Sequence, residues 1–415
     1  MTSIYQTIVN DLTQAITDNY FKEGDKLPSI RKISLQYKCS KDTVQRALLE
    51  LKFNNLIYSV AKSGYYVLGN IKDSQSNSTK SLEQVNHEAF EDFKQCLNQA
   101  LNHQENQLFN YYHKEEGLDE LIKSLSHYFI NNQVFTSLKN IMVTSGSQQA
   151  LYILSQMPFP NGNQTILIEK PSYSRMENLL TTLKIPYQTI ERHFHGIDLK
   201  TLEEIFKEGN IKFFYTISRF SNPLGLSYTK EEKEKIVDLA KQYQVYIVED
   251  DYLGDFAKGN DSPIHYYDTN DRVIYLKSFS ITVFPSLRIA ALVLPLELRI
   301  DFIRHKSLID LDTNLIMQKA LALYLSNGMF SKNLKNQIHF FFTNRGHYRD
   351  IFTGNQMINA YHVTPTDLII KVPKKTIIPT EIKKASHKII NNKKSIYVIF
   401  KLRETLAPLL EDWIK

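Results

Sequence analysis

Residues 274–292 read IYLKSFSITVFPSLRIAAL, and the fold of the larger part of the chain turns on them. The apolar run 273–276 predicts a short strand, Ser278-Phe279-Ser280 a polar turn, and Pro285 and Arg288 the exit from it. The same punctuation recurs upstream. Residues 141–144, 165–168, 213–217 and 245–248 are short apolar runs separated by turns and helical stretches. The first leads through Ser145-Gly146-Ser147 into a helix opening at Gln148. Such alternation predicts a mostly parallel sheet with helices on both faces, and ligands in such folds bind outside the carboxyl ends of the strands.

A chain of 415 residues is too long for one ordinary core, so two or three domains are expected. With 42% apolar and 23% charged residues it is a globular sequence, and no apolar run approaches the roughly 20 residues of a membrane span. The polar start MTSIYQTIVNDLTQ lacks a signal-peptide core, and Cys39 and Cys96 fall in different expected domains. A cytoplasmic protein without a disulfide framework is the expectation. No metal-ligating cluster is singled out. Of the net charge of +6, residues 1–70 carry half, nine Lys/Arg against six Asp/Glu. That bias favours a nucleic-acid-facing module there.

Within that module, Ile4, Ile8, Leu12 and Ile16 recur at helical spacing. Asp25-Lys26-Leu27-Pro28-Ser29 makes a turn, and Ser29 caps a second helix over 30–37. Ser40 caps a third, whose stripe Val44, Ala47, Leu48 and Leu51 leaves Lys41 and Arg46 outside. Two apolar runs, 56–60 and 65–68, flank Ala61-Lys62-Ser63-Gly64 as a hairpin. Together these predict a winged helix-turn-helix. The blocks GDKLPSIRKIS, CSKDTVQRALLELKFNNLI and KSGYYV resemble the DNA-binding domain of the GntR family. That resemblance implies contacts to double-stranded operator DNA from Arg31, Lys41, Thr43, Arg46, Lys62 and Gly64. Guanidinium groups suit guanine edges and phosphates, and glycine lets a wing approach closely.

Domains are expected at 1–69 (winged helix) and 87–415 (α/β body with a smaller C-terminal α+β lobe), joined by a Ser/Asn/Lys-rich linker at 70–86. In the body, VTSGSQQAL (143–151) resembles the corresponding string of the MocR subgroup, GntR-type regulators fused to a fold-type I aminotransferase-like domain. Further matches are Tyr111-Tyr112 through Gly117, EKPSY (169–173), SNPLG (221–225) and EDDY (249–252). The resemblance implies a pyridoxal phosphate (PLP) pocket built from Ser147, Gln148, Tyr173, Asn222, Asp250, Tyr252 and Arg288. There Tyr173 would cover the ring, Asn222 and Tyr252 reach the phenolic oxygen, Asp250 pair with the pyridine nitrogen and Arg288 hold the phosphate.

The opening stretch departs from that subgroup at one position. SFS precedes and Arg288 follows at the family's spacing, yet the Schiff-base lysine position is Ile281. Isoleucine can neither form an imine nor move a proton. Lys277, four residues upstream, is the candidate to replace it if its stem reaches the pocket. Ser218-Arg219-Phe220 also departs from the family. At the strand that anchors a substrate carboxylate, Lys401 replaces the family's arginine, with Arg403 two residues on. The expectation is a transcriptional regulator without a catalytic residue, whose body dimerises and senses a small effector, with any PLP held non-covalently. The alternative is a PLP-dependent aminotransferase fused to a DNA-binding head.

Overall fold

The structure, a computed structural model, describes residues 3–414 except 23, 55, 61–63, 69–81, 102–113, 195, 311, 353–357, 359, 392–394 and 403–405. It divides into two compact units: 1–109 with 319–337, and 110–318 with 338–415.

In the first unit, α1 (Ile4–Thr17), α2 (Ile30–Gln36) and α3 (Lys41–Phe53) precede the hairpin of β1 (Ile57–Val60) and β2 (Gly64–Val67). Ser3, Ser29 and Ser40 each cap a helix through the side-chain oxygen. Such caps satisfy amide donors that would otherwise be orphaned at helix starts. Ile8, Ile16, Ile33, Val44, Ala47, Leu48, Leu51 and Ile57 form the closed core beneath them. A helix then runs over Leu82–Leu101, so the last five residues of the expected linker are helical, started by Leu82-Glu83-Gln84 in place of further Ser and Asn. The rest of that linker, and the wing tip with Lys62, lie outside the described residues.

The second unit holds an eight-stranded sheet in the order β3-β10-β9-β8-β7-β4-β5-β6. Its strands are β3 (Ile141–Thr144), β4 (Thr165–Lys170), β5 (Tyr187–His193), β6 (Gly196–Ile197), β7 (Ile211–Thr216), β8 (Tyr246–Asp250), β9 (Val273–Ser278) and β10 (Ala290–Val293). Strands β5, β4, β7, β8 and β9 run parallel in succession, and β10 is antiparallel to both of its neighbours. The 273–292 segment supplies both β9 and β10, and its turn brings the chain straight back across the sheet. Helices on the two faces bury separate clusters, one around Met142, Leu151, Tyr215, Val248 and Leu276, the other around Leu167, Phe214, Ile236 and Ile247. Because side chains alternate along a strand, consecutive residues at each strand end serve opposite faces. A second, four-stranded antiparallel sheet, β11 (Ala360–Val363), β12 (Asp367–Pro373), β14 (Ser395–Lys401) and β13 (Lys388–Asn391) in that order, forms the C-terminal lobe.

Candidate functional site

On the head, Arg31, Lys41 and Arg46 are exposed, and among the described residues none has a carboxylate partner. Thr43 sits at the start of α3, its hydroxyl 2.9 Å from that of Ser40. The Arg46 guanidinium lies 5.5 Å from the ring centroid of Tyr5 on α1, a cation–π contact that sequence reading missed. Gly64 opens β2 with φ +133, a conformation that side chains rarely adopt. Lys62 lies outside the described residues.

In the body, the expected pocket residues gather at the carboxyl ends of β3, β4, β7 and β8. The helix Ser147–Gln156 starts after Gly146 with no side-chain cap, so its first amide groups are free of side-chain acceptors. Arg288, in the left-handed region at φ 54, lays its guanidinium across Gly146. A Cβ added at Gly146 would stand 2.5 Å from Arg288 Nη2, so only glycine permits this approach. No carboxylate pairs with Arg288 among the described residues. Ser145 is not available to the same cup: its hydroxyl donates to Asp310 at 2.9 Å, and Gln149 Nε2 donates to that oxygen at 2.7 Å. The Gln148 amide lies beside the Tyr173 hydroxyl, and its buried Nε2 makes no well-formed hydrogen bond.

Asp250 ends β8, buried. Its Oδ2 accepts the Tyr215 hydroxyl at 2.9 Å, while Oδ1 has no partner. Burial pushes its carboxyl up to about 7, against the Tyr215 hydrogen bond and the charge of Lys277, with Asp251 pushing the same way as burial. Tyr173, half-buried, has its phenol raised by burial and by the charge of Asp250. A cavity of about 180 Å³ is lined among others by Tyr173, Asn222, Tyr252, Asp367, Lys388 and Lys401; Ser147, Gln148, Asp250 and Arg288 are not among its lining residues. The Tyr252 hydroxyl interacts with Asn222 and donates to the Phe220 carbonyl at 3.3 Å. Gly225 brings the Asn222 turn against the smaller sheet, where an added Cβ would meet Thr364 Cγ2 at 2.7 Å. Lys401 is paired with Asp367 at 2.9 Å, and Arg403 and Tyr111-Tyr112 lie outside the described residues.

Ile281 stands half-buried in the turn after β9, and Lys277 does not replace a lysine there. Leu276 packs with the pocket-side cluster, so Lys277 faces the other way. It is fully buried, paired with Asp255 at 2.5 Å and near the carbonyls of Asp251 (3.4 Å) and Tyr252 (3.5 Å). The Tyr128 hydroxyl holds the other Asp255 oxygen at 2.5 Å. Beside them Arg219 grips Asp251 through two nitrogens, and the Tyr275 hydroxyl donates to Asp251 at 2.6 Å. The departure at Ser218-Arg219-Phe220 is thus one half of a buried ion pair. Tyr215 and Asp367 are the functional-site neighbours that sequence reading missed. A tyrosine within the apolar run of β7 was the available signal for the first, since a buried phenol needs a partner.

Comparison with known proteins agrees with both halves. The profile of the bacterial regulatory proteins of the gntR family matches residues 4–67, and that of class I and II aminotransferases matches residues 77–346. The large sheet with its smaller C-terminal partner is the fold-type I arrangement. A multiple substrate aminotransferase from Thermococcus profundus superimposes with a TM-score of 0.68 at 22% identity, over 79% of this chain and 87% of that one. The HTH-type transcriptional regulator YcxD of Bacillus subtilis is 42% identical over 336 residues, 79% of this chain and 76% of its own. NorG of Staphylococcus aureus, also an HTH-type transcriptional regulator, is 25% identical over 74% of this chain and 77% of its own. The chain belongs to the MocR-type transcriptional regulators, with a GntR DNA-binding head and a body of the class I and II aminotransferase family.

Proposed function

We propose that this regulator acts as a cytoplasmic homodimer whose body senses a phosphorylated pyridine-type ligand, PLP or a close relative, without a covalent bond. The head at residues 1–69 holds operator DNA through Arg31, Lys41, Thr43, Arg46 and the wing of Lys62 and Gly64. The segment after it, up to the helix at Leu82, joins head to body. A two-fold dimer suits paired operator half-sites.

The observation that carries the reading is a pair of unmatched groups on the ligand-facing side of the sheet. Among the described residues, Asp250 Oδ1 is a buried acceptor with no donor, and Arg288, beside an uncapped helix start, is a cation with no carboxylate. A pyridine N–H and a phosphate supply what each lacks. Arg288, with Ser147 and Gln148 beside it, would hold the phosphate. Tyr173 would cover the ring, and Asn222 with Tyr252 would meet the phenolic oxygen. PLP, when bound, supplies an electron-withdrawing ring beside Asp250. The residues here bind and orient it. Ile281 offers no amine, and Lys277 is held by Asp255 on the other face of the sheet.

Ligand occupancy then shifts operator affinity by favouring one arrangement of the paired heads. Operator fragments selected from genomic DNA by the protein itself would be titrated with and without PLP. A changed affinity or footprint supports the reading; identical curves at saturating PLP overturn it.

A further inference from the structure

Residues 371–394 read KVPKKTIIPTEIKKASHKIINNKK, eight lysines against one glutamate. That local excess of +7 is larger than the +6 of the whole chain, so the remainder is close to neutral. Lys374 and Lys375 follow β12, Lys383 and Lys384 end the helix Thr380–Ala385, and Lys388 opens β13. All five are exposed. Lys374 Nζ lies 3.5 Å from Asn391 Oδ1, a neutral amide, which brings the end of β12 beside the end of β13. Lys393 and Lys394 continue the run but lie outside the described residues.

What separates this strip is crowding: five exposed lysines without a carboxylate fall within residues 374–388, whereas others such as Lys184, Lys207 and Lys241 stand apart from one another. Elsewhere in the chain Lys94, Lys114, Lys170 and Lys230, all substantially exposed, each have a carboxylate within 4.0 Å. Among the described residues, none of the five strip lysines has one. Two bland roles account for part of the pattern. Lysine on the edge strand β13 blunts strand addition, and lysines at a helix end complement its dipole. Neither explains Lys374 and Lys375, nor an excess larger than the chain's total. A run of unpaired cations is the complement of a polyanion, and the polyanion this chain already holds through its head is duplex DNA.

We infer that the lysine strip of the C-terminal lobe is a second, sequence-independent DNA contact, gripping backbone phosphates outside the segment read by the head. It rests on the head binding DNA, and the test separates the two. The full chain would be compared with Lys374→Gln/Lys375→Gln/Lys383→Gln/Lys384→Gln and, separately, Lys41→Ala/Arg46→Ala. Probes are a selected operator on a short duplex of about one footprint and the same operator centred in a duplex about three times longer, each titrated at several salt concentrations. Each phosphate contact contributes about 0.9 to the slope of log affinity against log salt. The quadruple variant is expected to bind the short duplex within twofold of the parent. On the long duplex its salt slope should fall by about two to four, with at least a tenfold loss of affinity at low salt. The matching Lys→Arg variant should keep the parental slope. Equal slopes for parent and quadruple variant on the long duplex overturn the inference. So does a loss that is the same on both duplexes, or binding of the strip to vesicles of anionic lipid with no effect on DNA. If Lys41→Ala/Arg46→Ala leaves short-duplex binding intact, it is the head's assignment that fails instead.

Discussion

The two faces of the sheet meet at the ends of β8 and β9, and they treat charge in opposite ways. On one face Lys277, Asp255, Tyr128, Arg219, Asp251 and Tyr275 form a closed network in which each charge has an opposite one. On the other, one residue along β8 from Asp251, Asp250 has an oxygen with no donor, and Arg288, in the turn before β10, has no carboxylate partner among the described residues. Buried polar groups are nearly always matched, and an unmatched carboxylate oxygen together with an unpaired guanidinium on one face suits a ligand that brings both a donor and an anion. Groups on the closed face should therefore govern stability, and groups on the open face, ligand affinity.

The sharpest way to break that contrast is at Lys277. Lys277→Met leaves Asp255 buried with its charge uncompensated, which costs about 3–5 kcal/mol and should appear as a large drop in Tm. PLP affinity measured in the surviving folded fraction should be unchanged. The double variant Lys277→Met/Asp255→Leu should recover most of the loss; no recovery would deny that the pair is the cause.

Arg288→Ala should do the reverse. Removing a charge-assisted phosphate contact is worth about 1.5–3 kcal/mol, at least a tenfold weaker Kd for PLP by fluorescence titration, with little change in Tm. A large fall in Tm with unchanged Kd would place Arg288 among the structural charges.

Asp250 sharpens the comparison through pH. Its carboxyl, raised to about 7, keeps its proton in the folded chain where an unfolded one has lost it. The stability tied to that proton is full below the ordinary carboxylate range and is lost as pH rises through about 7. In the ligand-free protein, Asp250→Asn should gain stability over the parent between pH 4 and pH 7, on the order of a few kcal/mol, and hold that gain above. The same variant should bind PLP more weakly. Chemical denaturation across pH checks the first, and a flat difference would contradict the burial of an unmatched carboxylate.

The smallest effect belongs to the head. Tyr5→Ala removes the ring under Arg46 and should weaken operator binding by about 0.5–1 kcal/mol. Arg46→Ala should cost about 1–3 kcal/mol if it reads a base. Equal losses in both variants would mean that Arg46 acts only through Tyr5.

Much of this was legible in the residues. The serine caps, the 3.6-residue stripe of α3 and the short apolar runs of β3 to β9 are local patterns, and local patterns survive without knowledge of the fold. Strands β8 and β9 run two residues beyond the apolar runs, because they end in buried polar residues, Asp250 and Ser278. Partnerships over long distances were not legible. Lys277 looked able to reach the pocket until Asp255 and Tyr128, the latter 127 residues from Asp255 in sequence, were seen to hold it. Asp367, which occupies Lys401, stands opposite it on the neighbouring strand of the smaller sheet, a pairing with no local mark in the sequence.

The central claim is that the body recognises its ligand without bonding to it, and intact-mass measurement tests this most directly. The full chain, saturated with PLP, would be weighed under native conditions, then weighed again after borohydride treatment and denaturation. The expected result is one PLP per subunit in the native spectrum and the bare chain mass after denaturation. A PLP-sized increment that survives reduction and denaturation, mapped to Lys277 or any other amine of the pocket, would contradict the account.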